Sequence, residues 1–487
     1  MFSKTKFINN ASFFCSMVKE ENFALLTDLY ELTMCASYFD SKVKDVATFD
    51  LFIRQLPKNR SYFVAAGLED VLAYLKNLKF TNKHIEFLKS KNIFKNDFLN
   101  YLKNFKFNGD VFAVLEGTIV FPNEPIISVT APLIEAQLVE TFLLNTTNLQ
   151  TTIATKASRV VLAAKQKPVV DFSLRRTQGT DAGMKAARAS YIAGCIGTSN
   201  VLAGMEYKIP IYGTMAHSFV MAFENEKSSF EAYSKTFPDN STFLVDTYDT
   251  LKGIENASIV AKKLEKQGHK LKAIRLDSGD LISLSKTARK ILDKNGLKYV
   301  SIFASGNLDE HKIEELLEKN SMIDVFGVGT AMGVSNDAPY CDVVYKLVEL
   351  SDGGKLLPTM KLSKGKVTYP GKKQVYRIVD RKGDYVGDIL ALRDEKIKGQ
   401  MSKMRGIFEH TRKSLIFDEL LEKVMEKGKI ICKMPSLDEI KKTAMINISK
   451  LPEKHKKLKN AAEYSVEISP ELNKLTLKLN KKLKHKL

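Results

Sequence analysis

The sequence predicts an α/β protein. Its centre is an irregular, incomplete TIM-like α/β barrel. An N-terminal mixed α+β domain precedes it, and a helical, basic C-terminal region follows. Three observations lead there. From about residue 168, short apolar runs recur every 25 to 40 residues or so, each reading as a buried parallel strand. They are PVVDF, IPIYG, STFLVD, KAIRLD, YVSIFAS and DVFGVGT. Amphipathic helices follow several of them, as in AGMKAARASYIAG, LKGIENASIVAKKLEKQG, DLISLSKTARKILDKNG and LDEHKIEELLEKN. Alternating strand and helix implies a parallel sheet, and six such units suit a barrel, with an open doubly wound sheet as the alternative. Lastly, 487 residues exceed one ordinary core.

The parts follow in chain order. Residues 1–17, with MFSKTKFINNASFFCS, read as a loose extension, and Met17 is an alternative start. Residues 18–150 mix helices and short strands. ATFDLFIRQLP alternates like a strand, and GLEDVLAYLKNL is an amphipathic helix. GDVFAVLEGTIVFPNEPIISVTAP is β-rich, and the stretch from LIEAQLVETFLL to SRVVLAA has few breakers and reads as long helices. Residues 151–345 form the central barrel. Residues 346–487 complete the N-terminal domain and barrel and end in a lysine-rich tail, KLTLKLNKKLKHKL, expected to be a solvated or frayed end.

Composition narrows the function. Apolar residues make up 44 % and charged residues 27 %, as in a globular protein. No run approaches the ~20 apolar residues of a membrane span. Cysteines at 15, 35, 195, 341 and 432 form no CxxC pair, which points to a reducing, cytoplasmic setting. The net charge of +19 raises nucleic acid as a partner. The excess is dispersed lysine without tryptophan or an aromatic RNA signature, so solvated faces are the simpler account.

Polar residues at the ends of the expected strands carry the chemistry. They are Arg175 and Arg176, Thr214 and His217, Asp246 and Asp249, Arg275 with Asp277 and Asp280, Ser305 to Asn307, and Gly327 to Thr330. In a parallel α/β fold these ends share one mouth. Any single Asp or Gly there suits a helix cap or a turn. Six clusters in register point to a site. FGVGTAMG and SGN let backbone N–H groups approach a phosphate. The carboxylates of RLDSGDL suit Mg²⁺ near Asp277 and Asp280, or ribose hydroxyls. Arg275 beside them can clamp a carboxylate or phosphate bidentately. Phe172 of DFSLRRTQG can stack on a flat ring. His217, in GTMAHSFVMAF, sits at a helix start among small and apolar residues, where an imidazole can serve as base or nucleophile toward an anion. A Walker A sequence is absent.

Seven stretches together resemble nicotinate phosphoribosyltransferases: TDLYELTM, DFSLRRTQG, GTMAHSFV, VDTYDT, IRLDSGDL, ASGNLDE and FGVGTAMG, in that family's order from about residue 23 onward. The resemblance implies that nicotinate and 5-phosphoribosyl diphosphate give nicotinate mononucleotide and diphosphate, with ATP hydrolysis coupled and Mg²⁺ as cofactor. It implies a homodimer whose sites use both chains, and no nucleic-acid or membrane partner. By resemblance His217 is phosphorylated by ATP, and Asp246 and Asp277 position ribose, base or metal. Thr214 and Arg275 face nicotinate, Arg175 holds a phosphate or the acid group, and Phe172 and the partner's Tyr30 sandwich the pyridine. Ser305, Gly306, Asn307, Gly329 and Thr330 cradle the 5-phosphate. Ser173 departs from the glycine that relatives commonly carry. The alternatives are a nicotinamide phosphoribosyltransferase and a basic nucleic-acid-binding protein on the same fold.

Overall fold

The computed structural model describes residues 19–352, 354–362, 368–397 and 415–484. The expected extension 1–17 and the alternative start Met17 lie outside the described residues.

The N-terminal half is built on a seven-stranded sheet. Its order is Lys355–Pro358, Val343–Asp352, Val46–Ile53, Pro125–Pro132, Asp110–Ala113, Glu422–Glu426 and Lys429–Ile430. Val46–Ile53 lies inside it, paired antiparallel on both sides. Its β-branched and aromatic residues suit that place, and all but the first residue are buried. Helix Leu68–Asn77 lays Leu68, Val71, Leu72 and Leu75 onto the same core, the apolar stripe expected of GLEDVLAYLKNL.

The central sheet has six parallel strands, in the order Gly197–Thr198, Val169–Asp171, Val325–Val328, Ser301–Ala304, Ala273–Leu276 and Thr242–Leu244. The last strand in sequence thus pairs with the first. Among the described residues no ladder joins Gly197–Thr198 to Thr242–Leu244. The anticipated helices follow at Thr180–Ile192, Thr250–Lys266, Leu281–Lys294 and Glu310–Glu318. Five of the six expected strands stand where the apolar runs placed them. The sixth, IPIYG, contributes one bridge, Thr198 to Ile211. Pro210 has no N–H to donate, so the segment pairs through its carbonyl and Tyr212 N–H alone.

Helix Glu140–Ala163 runs between the two halves and is buried along most of its length. The expected domain boundary at 150 falls within it, and that at 345 falls within strand Val343–Asp352. The C-terminal region departs from the helical expectation. Strands Ile416–Glu419, Lys373–Val379, Tyr385–Leu392 and Val466–Ile468 form a four-stranded sheet. The apolar runs QVYRIV and YVGDIL, split by the turn at Gly383, favour strands over helix. The tail is solvated without being frayed through Lys484: it continues helix Pro470–Lys484, anchored by buried Leu472, with residues 474–484 exposed or half-buried. Among the described residues no helix is long and apolar enough to cross a membrane.

Candidate active site

Parallel pairing brings the carboxyl ends of the strands to one side, and the side chains there bond to one another. Arg275, near the end of Ala273–Leu276, is buried. Its Nε donates to Ser305 Oγ at 2.9 Å. Nη1 donates to Thr214 Oγ1 at 2.5 Å and to the Met215 carbonyl at 3.0 Å. Nη2 donates to Asp277 Oδ1 at 3.1 Å. A guanidinium has five N–H groups, so one on Nη2 remains. The bidentate clamp expected of Arg275 is therefore unavailable while these contacts stand, and a ligand meets a single donor.

Asp277 accepts on Oδ1 from both Ser305 Oγ, at 2.5 Å, and Arg275. Burial pushes its carboxyl up, but the Ser305 hydroxyl and the Arg275 guanidinium outweigh it and hold the group below its ordinary value. Oδ2 faces His217 Nε2 at 4.0 Å. Asp246 lies beyond strand Thr242–Leu244 and accepts on Oδ2 from Asp277 N–H at 2.9 Å and Ser278 Oγ at 2.6 Å. Among the described residues its Oδ1 is buried without a hydrogen-bond partner.

His217 is the first residue of helix His217–Met221. Its Nδ1 lies 3.1 Å from Thr247 Oγ1 and its side chain is 40 % exposed, so a ligand can reach the ring. A plain core histidine would be closed off. Thr247 is the partner that sequence reasoning missed. Its signal was present, one residue after Asp246 in VDTYDT. Asp171 was missed as well. Buried at the end of Val169–Asp171, it accepts from Ser173 N–H and Thr198 Oγ1 and so shapes the loop carrying Phe172.

Glycines close the strand ends. Gly306 has φ +87°, and a Cβ there would stand 1.9 Å from the Asp277 carbonyl. Only glycine lets the Ser305–Asn307 turn lie on the neighbouring strand end. Gly327 packs beneath Phe172, where a Cβ would meet ring atoms at 2.8 Å. Phe172 also meets Phe303 edge-on, with centroids 5.5 Å apart. Ser173 fits in place of a glycine because Gly333 lies against it without a side chain.

The remaining candidates stand apart from this bonded group. Arg175 is exposed in the 3₁₀ turn Leu174–Arg176, Asn307 is exposed on its turn, and Thr330 is exposed at the start of helix Thr330–Gly333. Gly329 caps the short helix Thr330–Gly333. Asp249 and Asp280 prove to be helix caps, the simpler reading of a strand-end Asp. Tyr30, 48 % exposed, stands on helix Leu29–Asp40. Partial burial and the nearby carboxylates of Glu140, Glu31 and Asp28 push its phenol up.

Family models cover most of the chain. The nicotinate phosphoribosyltransferase (NAPRTase) N-terminal domain matches residues 25–148, the NAPRTase family 168–401 and the C-terminal domain 372–476. A nicotinate phosphoribosyltransferase of Mycobacterium tuberculosis is 44 % identical over 448 residues, covering 92 % of this chain and 91 % of the relative.

The chain belongs to the nicotinate phosphoribosyltransferase family.

The nicotinate phosphoribosyltransferase of Bacillus subtilis is 43 % identical over 461 residues, covering 93 % of this chain and 94 % of that one. The crystal structure of human nicotinic acid phosphoribosyltransferase superposes with a TM-score of 0.81 at 28 % identity, covering 93 % of this chain and 99 % of that one. Both carry the nicotinate name, in line with the first reading of the motifs and not with the nicotinamide alternative. Phosphoribosyl transfer to nicotinate, a salvage step toward NAD, is the activity of a nicotinate phosphoribosyltransferase.

Proposed function

We propose that this enzyme couples nicotinate mononucleotide synthesis to ATP hydrolysis through a phosphohistidine at His217. The observation that carries the reading is the ring of His217, open to solvent, with Nδ1 on Thr247 and Nε2 toward Asp277. A ring nitrogen attacks the γ-phosphoryl group, an N–P bond forms, and ADP leaves with the electrons of the β–γ bridge. Water later takes the phosphoryl group and restores the imidazole. In the transfer step the pyridine nitrogen attacks C1 of the ribose, and diphosphate departs with the bonding electrons.

Phe172 offers its ring to the pyridine, with Tyr30 of a second chain on the other face. Arg275 turns its remaining N–H toward the nicotinate carboxylate, with Thr214 beside it, and exposed Arg175 meets a phosphate or that carboxylate. Asp246 and Asp277 orient ribose. Gly306, Asn307, Gly329 and Thr330 receive the 5-phosphate, whereas the hydroxyl of Ser305 is already engaged by Arg275 and Asp277. Among the described residues no group of three or more His, Cys, Asp or Glu could hold a metal ion. Mg²⁺ characteristically takes one or two carboxylates and leaves the rest to water and phosphates. The orphaned Oδ1 of Asp246 and the Oδ2 of Asp277 fit it, while Asp280 is occupied as a cap. Bound there, Mg²⁺ would neutralise diphosphate charge.

The finer architecture belongs to the same reading. The cyclic strand order supports an incomplete barrel with its break between Gly197–Thr198 and Thr242–Leu244. The enzyme is read as a cytoplasmic homodimer with shared sites, consistent with the free thiols of Cys35, Cys195, Cys341 and Cys432. The deciding assay measures nicotinate mononucleotide formation with and without ATP, alongside trapping of acid-labile phosphoenzyme. ATP-independent synthesis with no phosphoenzyme would refute the coupling.

A further inference from the structure

Four buried charged side chains meet inside the molecule, outside the bonded group around Arg275, and a fifth, Asp337, joins them from the surface. Arg60 forks onto Asp337, Nη1 to Oδ2 at 2.8 Å and Nη2 to Oδ1 at 2.9 Å. Lys156 Nζ lies 2.7 Å from Asp337 Oδ1 and 2.6 Å from Glu310 Oε2. Arg159 donates from Nε to Glu310 Oε1 and from Nη2 to the Leu458 carbonyl, both at 3.1 Å. The three cationic side chains are 1–2 % exposed, and Glu310 is fully buried.

The carboxylates occupy telling positions. Glu310 follows the Ser305–Asn307 turn by three residues and opens helix Glu310–Glu318. Asp337 follows the short helix Thr330–Gly333 that Gly329 caps. Each stands at the exit of one glycine loop. The cations come from elsewhere, Arg60 from the N-terminal half and Lys156 and Arg159 from helix Glu140–Ala163. Lys156 contacts both carboxylates closely, and Arg60 Nη1, 2.8 Å from Asp337, also stands 3.9 Å from Glu310 Oε1, so two cations link the two loop exits.

Three nearly buried cations thus share one fully buried carboxylate, Glu310, and one that reaches solvent, Asp337, whose side chain is 35 % exposed. Well-packed apolar residues commonly stabilise as well as buried ion pairs do, so stability alone does not account for such a cluster. Forked, charge-assisted bonds supply fixed geometry instead. We infer that Arg60, Lys156, Glu310 and Asp337 are positioning residues for phosphoribosyl diphosphate, holding the two glycine loops in register from behind. The inference rests on the proposed assignment of those loops to the 5-phosphate. A cradle of backbone N–H groups shared by two loops tolerates little relative movement. A displacement of about 1 Å at such a site can cost up to about a hundredfold.

The test uses the full-length enzyme and three variants, Lys156→Met, Asp337→Asn and Asn307→Ala. Asn307→Ala alters a loop directly and serves as the reference. For each, KM for phosphoribosyl diphosphate, KM for nicotinate and melting temperature are measured. Lys156→Met is expected to raise KM for phosphoribosyl diphosphate about tenfold or more while KM for nicotinate stays within about twofold. A cluster that merely welds the halves together would lower the melting temperature and leave both KM values of the folded enzyme unchanged. Asp337→Asn keeps the side chain's shape and carries the same test if Lys156→Met does not fold. If Asn307→Ala raises that KM and the cluster variants do not, the positioning role is overturned and the loop assignment stands. If Asn307→Ala leaves it unchanged too, the loop assignment fails and the inference falls with it.

Discussion

The hydroxyl of Ser305 donates to Asp277 Oδ1 at 2.5 Å and accepts from Arg275 Nε at 2.9 Å. One serine thus ties together two charged residues from the neighbouring strand. Ser305→Ala removes the donor that keeps Asp277 acidic, so the Asp277 pKa rises. The acid limb of the kcat/KM profile, where Asp277 protonates, moves to higher pH. Activity on that acid limb should fall much more than activity at neutral pH, where Asp277 stays ionised. A pH–rate profile superimposable on the wild type would show that Asp277 needs no such support.

Arg275→Lys keeps the charge and loses the fork. Ser305, Thr214, the Met215 carbonyl and Asp277 are four acceptors, one more than the three N–H groups of an ammonium can serve. We expect kcat/KM for nicotinate to fall about a hundredfold, near 2.7 kcal/mol. The preference for nicotinate over nicotinamide should narrow, because the remaining N–H no longer aims at the acid group. Competition between the two bases measures this. An unchanged preference would move the acid contact to Arg175.

His217→Ala is expected to fold and to lose nicotinate-dependent ATP hydrolysis together with phosphoenzyme. Thr247→Val is the subtler test. It frees Nδ1 and lets the ring turn, so phosphoenzyme should form about tenfold more slowly, near 1.4 kcal/mol. Rapid-quench trapping with labelled ATP reads both variants. Wild-type trapping rates in Thr247→Val would make Thr247 a bystander.

Tyr30 tests the shared site. Its exposure is unusual for an aromatic ring on a packed helix. Tyr30→Ala is expected to weaken nicotinate binding more than phosphoribosyl diphosphate binding, by about 1 kcal/mol beyond lost burial. Mixing Tyr30→Ala with His217→Ala chains should restore activity, since one site of each heterodimer inherits neither defect. No recovery, with subunit exchange demonstrated, would place Tyr30 in its own chain's site or in none.

Glu31 lies on the buried face of that same helix, accepting from Thr27 Oγ1 and from Thr141 N–H and Oγ1. Burial pushes its carboxyl from an ordinary 4.5 up to about 7. The folded protein therefore holds this proton more tightly than the unfolded chain. Glu31's contribution to stability is whole below pH 4.5 and is lost as pH rises through about 7. Glu31→Gln cannot lose a proton, so its melting temperature should fall less than the wild type's between pH 5 and 8. Parallel slopes would mean that Glu31 ionises normally.

Much of the site was legible because its residues lie at strand ends, where apolar runs stop and polar ones begin. PVVDF, KAIRLD and YVSIFAS disclosed both the strands and the residues beyond them. Less was legible where one pattern admits two uses. Asp277 and Asp280 are both acids of DSGD, yet the first joins Arg275 and the second caps a helix. Only the chain's path separates them. The commitment of Arg275 to four bonds was invisible too, since Thr214 and Ser305 are remote from it in sequence. In the C-terminal region lysine content suggested solvated helix, whereas the strands there were set by short apolar runs among the charges. The neighbours of Val46–Ile53 could not be paired from pattern alone, because one of them arrives late.

That late arrival shapes how the protein is made. Val46 donates its N–H to Ser351 Oγ, 305 residues away, and the strands around them pair throughout. At about 5–20 residues per second, a ribosome needs roughly 15–60 s to supply the second strand after the first. Throughout that interval one edge of an apolar strand is open, a template for pairing with other nascent chains. Translation speed and chaperone supply should therefore govern the yield of this enzyme more than its final stability does. A fragment ending before residue 343 would carry the same open edge permanently.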